Sequence, residues 1–130
     1  METTEQEERQ MTLEECYAQM GGDYQGTLRR LCSERLIQRV ILKFPGDPSY
    51  GELSRTMKEG QWEDAFRAAH TLKGVSQNLG MTALYEPTAE LTELLRGGKN
   101  PGATDLMTKI DAAYERTIAA IQRLQESNLL

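Results

Sequence analysis

The sequence predicts an all-α fold, in which four longer helices form an up-down-up-down bundle and short N-terminal helices cap or flank it. Apolar residues recur at spacings of three and four along most of the 130-residue chain, as is typical of amphipathic helices. No stretch alternates apolar and polar residues for long enough to form a strand. Short links, most of which contain glycine or proline, separate the helical segments, and short links favour antiparallel neighbours.

Length and composition predict a single domain at residues 11–127. A chain of 130 residues is long enough to bury one hydrophobic core. Residues 1–10 are acidic and polar without apolar periodicity, so we expect them to form a flexible segment rather than a secretory signal.

The charge and the cysteine content exclude several classes of function. A net charge of -5 argues against a nucleic-acid partner, which would need a basic patch. No apolar run approaches the ~20 residues of a membrane span. Cys16 and Cys32 lack metal or redox spacing, and one histidine supplies no ligand set, so we expect no metal and no cofactor. Both cysteines are predicted to be core or half-buried thiols in a reducing cytoplasm.

Capping residues and helix breakers set the predicted helix ends. Thr12 followed by Glu15 forms a capping box, and Ser33 is a good N-cap. Asp47-Pro48 supplies an N-cap followed by a first helical residue. The predicted helices run from Leu13 to Met20, from the cap Asp23 to Leu31, from Glu34 to Phe44, from Pro48 up to Gly60, from Trp62 to Leu79, from the cap Thr82 and Ala83 to Arg96, and from Ala103 to Glu126.

Apolar stripes predict which side of each helix faces the core. Pro87 interrupts the sixth segment, so that helix either bends in its first turns or begins at Pro87 itself. The inward residue beside it is Ala89 or Thr88. The predicted inward residues are Leu36, Ile37, Val40, Ile41 and Phe44; then Tyr50, Leu53 and Met57; then Leu84, Leu91, Leu94 and Leu95; and finally Leu106, Ile110, Ala113, Tyr114, Thr117, Ile118, Ile121 and Leu124.

The segment from Trp62 to Leu79 carries the histidine of the chain, His70. At about 100° per residue, its small and apolar residues share one side and should face the core. His70, Lys73, Gly74 and Gln77 fall at i, i+3, i+4 and i+7 on the opposite side, so the imidazole should face water. The predicted core-facing residues are Ala65, Ala68, Ala69, Leu72, Val75, Ser76 and Leu79.

Two neighbours of His70 suit the approach of an anion. Gly74 lies mid-helix, where glycine costs ~1 kcal/mol relative to alanine. It lies one turn after His70, and its missing side chain leaves room for another molecule to come close. Lys73 places an ammonium beside the imidazole, which suits an anion such as a phosphoryl group.

These residues resemble the signature of histidine-containing phosphotransfer (HPt) domains. The resemblance lies in His70-Thr71-Leu72-Lys73-Gly74, followed by Ser76, Asn78, Leu79 and Gly80, and it extends over residues 13–124. It implies a phosphoryl carrier that accepts and donates the group on His70 in a multistep phosphorelay. The partner would be the receiver domain of a response regulator, a hybrid histidine kinase, or both.

The resemblance also implies roles for the neighbours of His70. Lys73 would offset the phosphoryl charge, and Gln77 would either bind a phosphoryl oxygen or the ring, or remain a solvated helix residue. Gly74 would give access, and Phe66, one turn before His70, would belong to an apolar docking patch. The receiver would supply Mg²⁺ and an acidic pocket, so the chain would be a carrier rather than an enzyme. We expect a cytoplasmic monomer that binds neither nucleic acid nor membranes.

Two other functions remain open from the sequence. A helical adaptor would keep the bundle and bind a signalling partner without phosphoryl transfer, although His70 beside Lys73 and Gly74 argues against it. A phosphatase or kinase ranks last, because the chain has no nucleotide-binding motif.

Overall fold

The computed structural model describes residues 10–128, and over that range the protein contains helices and no strand, as the apolar periodicity predicts. The predicted flexible segment, apart from Gln10, lies outside the described residues. A 3₁₀ turn, Phe44–Gly46, follows the third helix. The α-helices in chain order are α1 (Leu13–Met20), α2 (Tyr24–Leu31), α3 (Glu34–Lys43), α4 (Ser49–Glu59), α5 (Trp62–Asn78), α6 (Thr82–Leu95) and α7 (Leu106–Ser127).

Local capping chemistry explains several helix ends as predicted. The Thr12 hydroxyl accepts a hydrogen bond of 3.0 Å from the amide of Glu15, whose carboxylate accepts one of 2.9 Å from the amide of Thr12. Asp23 and Ser33 cap α2 and α3 through their side-chain oxygens. Gly60 ends α4 in the left-handed region, at φ 68°, where glycine carries no steric cost.

Several predicted helix ends were wrong by a few residues. Helix α4 begins at Ser49, because the Asp47 carboxylate accepts a hydrogen bond from the Ser49 amide and leaves Pro48 at the cap. Helix α3 ends before Phe44, which opens the 3₁₀ turn. Helix α7 begins only at Leu106, because the preceding segment forms a loop.

The start of α6 also differs from the prediction. Thr82 is its first helical residue rather than its cap, and Met81 takes the cap position. Pro87 lies inside α6, so the helix does not begin there. Thr88 rather than Ala89 takes the fully buried position, and its hydroxyl donates a hydrogen bond of 2.7 Å to the carbonyl of Leu84.

Three side chains are more exposed than predicted. Leu36 is 37 % exposed and Leu94 is 43 % exposed, although both belong to apolar stripes. Each stripe is wider than the surface that the neighbouring helices cover. Cys32, which ends α2 in a left-handed conformation at φ 59°, is exposed, so the prediction of a core or half-buried thiol is wrong for this residue, whereas Cys16 is buried as predicted.

Helix α5 packs against both α4 and α6, so its inward side is covered from two directions. Helix α6 also packs against α7, and α7 packs against α1. Small side chains let the neighbouring helices approach α5 closely. The buried residues of α5 are Ala65, Ala68, Ala69, Leu72 and Ser76.

Hydrogen bonds from α1 and from the cap of α2 fix the chain at the C-terminal end of α5. The Tyr17 hydroxyl donates a hydrogen bond of 2.7 Å to the carbonyl of Leu79, and the Asp23 amide donates one of 2.8 Å to the carbonyl of Gly80. Gly80 has φ 69°, and a Cβ there would lie 1.9 Å from the Thr27 hydroxyl oxygen. The closing glycine of the motif is therefore required by the turn and by the close approach of α2.

None of the helices in the described part of the chain is both long and apolar enough to cross a membrane.

Candidate functional site

His70 lies near the middle of α5 and its side chain is exposed, as predicted. Its neighbours in sequence on the inward side, Ala69 and Leu72, are both fully buried. The helix therefore fixes the backbone of His70 against the core while the imidazole projects into solvent. A nitrogen nucleophile in this position is open to a second protein without any movement of the fold.

Phe66 lies against His70 on the same side of α5. The two rings are stacked, with their centroids 5.9 Å apart and their planes 21° from parallel. Phe66 is half-buried and packs against the core, so it is less exposed than its predicted role in a docking patch implies. The ring lies stacked beside the imidazole, and its exposed part adds apolar surface there.

Gly74 and Lys73 border the imidazole one turn further along α5. A Cβ built on Gly74 would meet no atom within 4 Å outside its own helix backbone, so this position borders open space. Lys73, three residues after His70, is half-buried. The predicted access residue and the predicted cation are thus on the histidine side of the helix.

Gln77 is exposed and lies two turns beyond His70, about 10 Å further along the axis. It borders a cavity of about 140 Å³ whose lining includes Arg30 and Tyr85. The Arg30 guanidinium donates hydrogen bonds of 3.2 and 3.1 Å to the carbonyls of Gln77 and Asn78. Gln77 therefore lies at the end of the helix, beside a cation that caps it, rather than next to the imidazole.

Arg96 is the residue that follows α6, and the sequence patterns did not predict a role for it at this site. Its guanidinium carbon lies 5.4 Å from the centroid of the Phe66 ring, in a cation–π arrangement. The same ring is stacked on His70, so Phe66 contacts both residues. The sequence shows only an arginine at a helix end, and its proximity to Phe66 depends on how α6 packs on α5.

The sequence patterns also did not predict a role for Glu93 at this site. It accepts hydrogen bonds of 3.0 Å from Nε of Arg96 and 2.8 Å from Nη2. This two-point pair lowers the pKa of the Glu93 carboxyl below its usual value, and the nearby charge of Lys73 lowers it further. Glu93 raises the pKa of Arg96 in return. The spacing of Glu93 and Arg96 predicts a helical i, i+3 pair but gives no sign of a link to the histidine.

Ser76 is buried and belongs to the scaffold of the site. Its hydroxyl donates to the carbonyl of Leu72 at 2.7 Å, with a second contact of 3.1 Å to that of Lys73. The predicted bond to the preceding turn is confirmed. This small polar side chain satisfies its hydrogen-bonding capacity within α5 and leaves the opposite side of the helix to His70.

The side chains around His70 include Lys73 and Arg96, and the described part of the chain shows no metal centre. Across residues 10–128, no group of three or more histidine, cysteine, aspartate or glutamate side chains could hold a metal ion. An exposed imidazole, with Lys73 three residues along the same helix and Arg96 over the ring that stacks on the histidine, suits the transient acceptance of a charged phosphoryl group.

Comparison with known proteins agrees with this chemistry. A model of the Hpt domain matches residues 10–125, a range that includes every helix but the last two residues of α7. Neither the curated proteins nor the solved structures that were searched contain a match. Hpt domains act as phosphoryl carriers with receiver domains in two-component phosphorelays, and they are not independent enzymes. The chain, with His70 on the open side of α5, therefore belongs to the Hpt domain family.

Proposed function

We propose that His70 accepts a phosphoryl group from an aspartyl phosphate on a receiver domain and passes it to a second receiver. The observation that carries the proposal is an exposed imidazole on a rigid helix, with open space at Gly74 and a cation at Lys73. A neutral imidazole is a competent nitrogen nucleophile near pH 7.

The transfer takes only the nucleophile and nearby positive charge from this chain. An unprotonated ring nitrogen of His70 attacks phosphorus, and the N–P bond forms as the P–O bond to the aspartate breaks. The electron pair leaves with the aspartate carboxylate, and the ring keeps its proton on the other nitrogen. Lys73 and Arg96 offset part of the added negative charge, while the receiver supplies Mg²⁺ and the acidic pocket. The return step is the same exchange in reverse.

The surface around His70 sets how a receiver docks. In-line attack requires the nitrogen to come within ~3–3.5 Å of phosphorus, so the receiver must lie directly against α5. The open space at Gly74 admits that approach, and the exposed part of Phe66 supplies apolar contact. Gln77 lies at the edge of this contact, where its side chain would hydrogen-bond to the receiver or to a water molecule rather than to the imidazole ring.

We infer that the protein is a cytoplasmic monomer and that residues 11–127 form one domain. The four longer helices α4 to α7 form the up-down bundle, with α1 to α3 flanking it. The packing of α4 on α5, of α5 on α6 and of α6 on α7 supports this order, because each helix contacts the next one along the chain.

Transfer from a radiolabelled phosphorylated receiver tests the proposal. Native protein should acquire label that is stable to base and labile to acid, as a phosphoramidate is. The His70→Gln variant should acquire none. Thr71→Ala is the matched control, since Thr71 is the exposed neighbour whose hydroxyl bonds to the carbonyl of Arg67 within α5. Full labelling of His70→Gln would refute the assignment, and receiver binding without any labelling of native protein would indicate an adaptor instead.

A further inference from the structure

Glu93 lies among the cations of the histidine site. It engages Arg96 through two hydrogen bonds, and the charge of Lys73 acts on the same carboxylate. Arg96 in turn lies over the ring that stacks on His70. The carboxylate thus occupies the Arg96 guanidinium, and the charge of Lys73 acts on it, before any phosphoryl group is present.

We propose that Glu93 destabilises a phosphoryl group on His70, because it competes with that group for Arg96 and Lys73. This inference rests on the proposed function, since it concerns the phosphorylated state of the same histidine. It assigns Glu93 a role in positioning and electrostatics, because it acts through the two cations rather than on the reacting atoms.

The formal charges show why the competition matters. A phosphoryl group carries about -1.5 to -2 at neutral pH. Arg96 and Lys73 together supply two positive charges, of which Glu93 cancels one. Arg96 also uses Nε and Nη2 to hold Glu93, so those donors are not available to a phosphoryl oxygen. A less stable phosphohistidine transfers its phosphoryl group more readily, which suits a carrier.

Phosphorylation by phosphoramidate tests this inference without a receiver. The His70 nitrogen attacks phosphorus, the N–P bond of phosphoramidate breaks, and its nitrogen leaves as ammonia. The phosphorylated fraction at a fixed phosphoramidate concentration is measured by ³¹P NMR on the full-length protein. The compared variants are Glu93→Gln, Arg96→Gln, the double variant and the control Glu90→Gln.

Glu90→Gln is a matched control because Glu90 is an exposed glutamate one turn earlier on α6, and its loss changes the net charge equally. Relative to native protein, Glu93→Gln should raise the ratio of phosphorylated to unphosphorylated His70 about two- to fivefold at low salt. Glu90→Gln should change it by less than half as much. Arg96→Gln should lower the ratio, and the gain from Glu93→Gln should shrink in that background. The gain should also shrink in 1 M salt, where the Debye length is about 3 Å.

The outcomes separate the two proposals. If native protein acquires no phosphohistidine signal, phosphoryl transfer to His70 itself fails. If native protein is phosphorylated but Glu93→Gln matches Glu90→Gln, the role of Glu93 fails alone. A lower ratio in Glu93→Gln also overturns it, because Glu93 would then hold Arg96 in place for the phosphoryl group instead of competing with it. Circular dichroism of each variant establishes that the fold is retained.

Discussion

The phenolic hydroxyl of Tyr17 donates a hydrogen bond of 2.7 Å to the main-chain carbonyl of Leu79, so that α1 fixes the residue following α5. Tyr17 is 1 % exposed, and burial raises its pKa to about 12. This one contact ties the end of the His70 helix to a helix more than sixty residues earlier in the chain.

The first prediction concerns the alkaline stability that follows from Tyr17. Because its pKa is raised in the folded state, its contribution to stability is complete below the unfolded value of 10 and is lost as the pH rises towards 12. At pH 11 the free energy of unfolding should have lost about 1 kcal/mol through Tyr17. Urea denaturation at pH 9 and pH 11 measures this loss.

Tyr17→Phe should show a smaller drop between the two pH values than native protein. At pH 7 the same variant should be about 1–2 kcal/mol less stable, because the buried Leu79 carbonyl loses its main donor. Tyr85→Phe, a half-buried tyrosine on α6, is the control. An unchanged alkaline drop in Tyr17→Phe would show that another group causes it.

The second prediction separates the two sides of α5. His70→Gln should change the free energy of unfolding by less than about 0.5 kcal/mol, because the side chain is exposed and lies away from the helix ends. Leu72→Ala should cost about 2–5 kcal/mol, because Leu72 is fully buried. Denaturant melts of both variants measure the difference. A large loss for His70→Gln would contradict the placement of the histidine.

The third prediction contrasts two glycines of the motif. Gly74→Ala should retain the fold and gain up to ~1 kcal/mol, because helix propensity favours alanine and a Cβ meets open space. Gly80→Ala should be strongly destabilising, because a Cβ would lie 1.9 Å from the Thr27 hydroxyl oxygen at a positive φ. Thermal melts compare the two variants directly. Equal losses would mean that Gly74 also has a packing role.

A longer side chain at Gly74 tests access to the histidine. Gly74→Gln should keep the circular dichroism spectrum and melting temperature of native protein, since the position faces open space. It should lose most of its transfer rate from a phosphorylated receiver, because the side chain fills the space that the receiver needs. Transfer at the native rate would show that Gly74 does not control access.

The last prediction concerns the apolar contact beside the histidine. Phe66→Ala should slow transfer from a phosphorylated receiver at least about fivefold, mainly through weaker docking, because a central aromatic contact is lost. Leu36→Ala is the control, because it removes a partly exposed leucine on α3, which packs on α2, the 3₁₀ turn and α7 rather than on α5. The dependence of the rate on receiver concentration separates docking from chemistry. Equal effects of the two variants would argue against a docking role for Phe66.

The sequence predicts best those features that a few neighbouring residues determine. The capping box at Thr12, the helix end at Gly60 and the left-handed turn at Gly80 each depend on local backbone chemistry, and all three are seen in the structure, although α5 itself ends at Asn78. The exposed side of α5 follows from its period in the same way. A repeat of 3.6 residues places His70 opposite Leu72 independently of how the other helices pack.

The features that the sequence did not predict depend on contacts between helices. Leu36 and Leu94 fit apolar stripes, but no periodicity shows how far a neighbour covers them. Glu93 and Arg96 are ordinary charges of a helix end until α6 packs beside α5 and brings them to Phe66. Side-chain identity predicts the capacity of these residues to pair, whereas only the packing shows their link to the histidine.

The backbone bonds between the two glycine turns have a consequence for synthesis of the chain. The Asp23 amide bonds to the carbonyl of Gly80, and the Ala83 amide bonds to that of Gly21. The ribosome releases α1 and α2 well before it has made residue 83. The N-terminal helices therefore cannot form these bonds until the Gly80 turn has been made. Because that turn precedes most of α6 in the chain, docking of the first two helices can begin before α6 is complete, and it fixes the C-terminal end of the His70 helix.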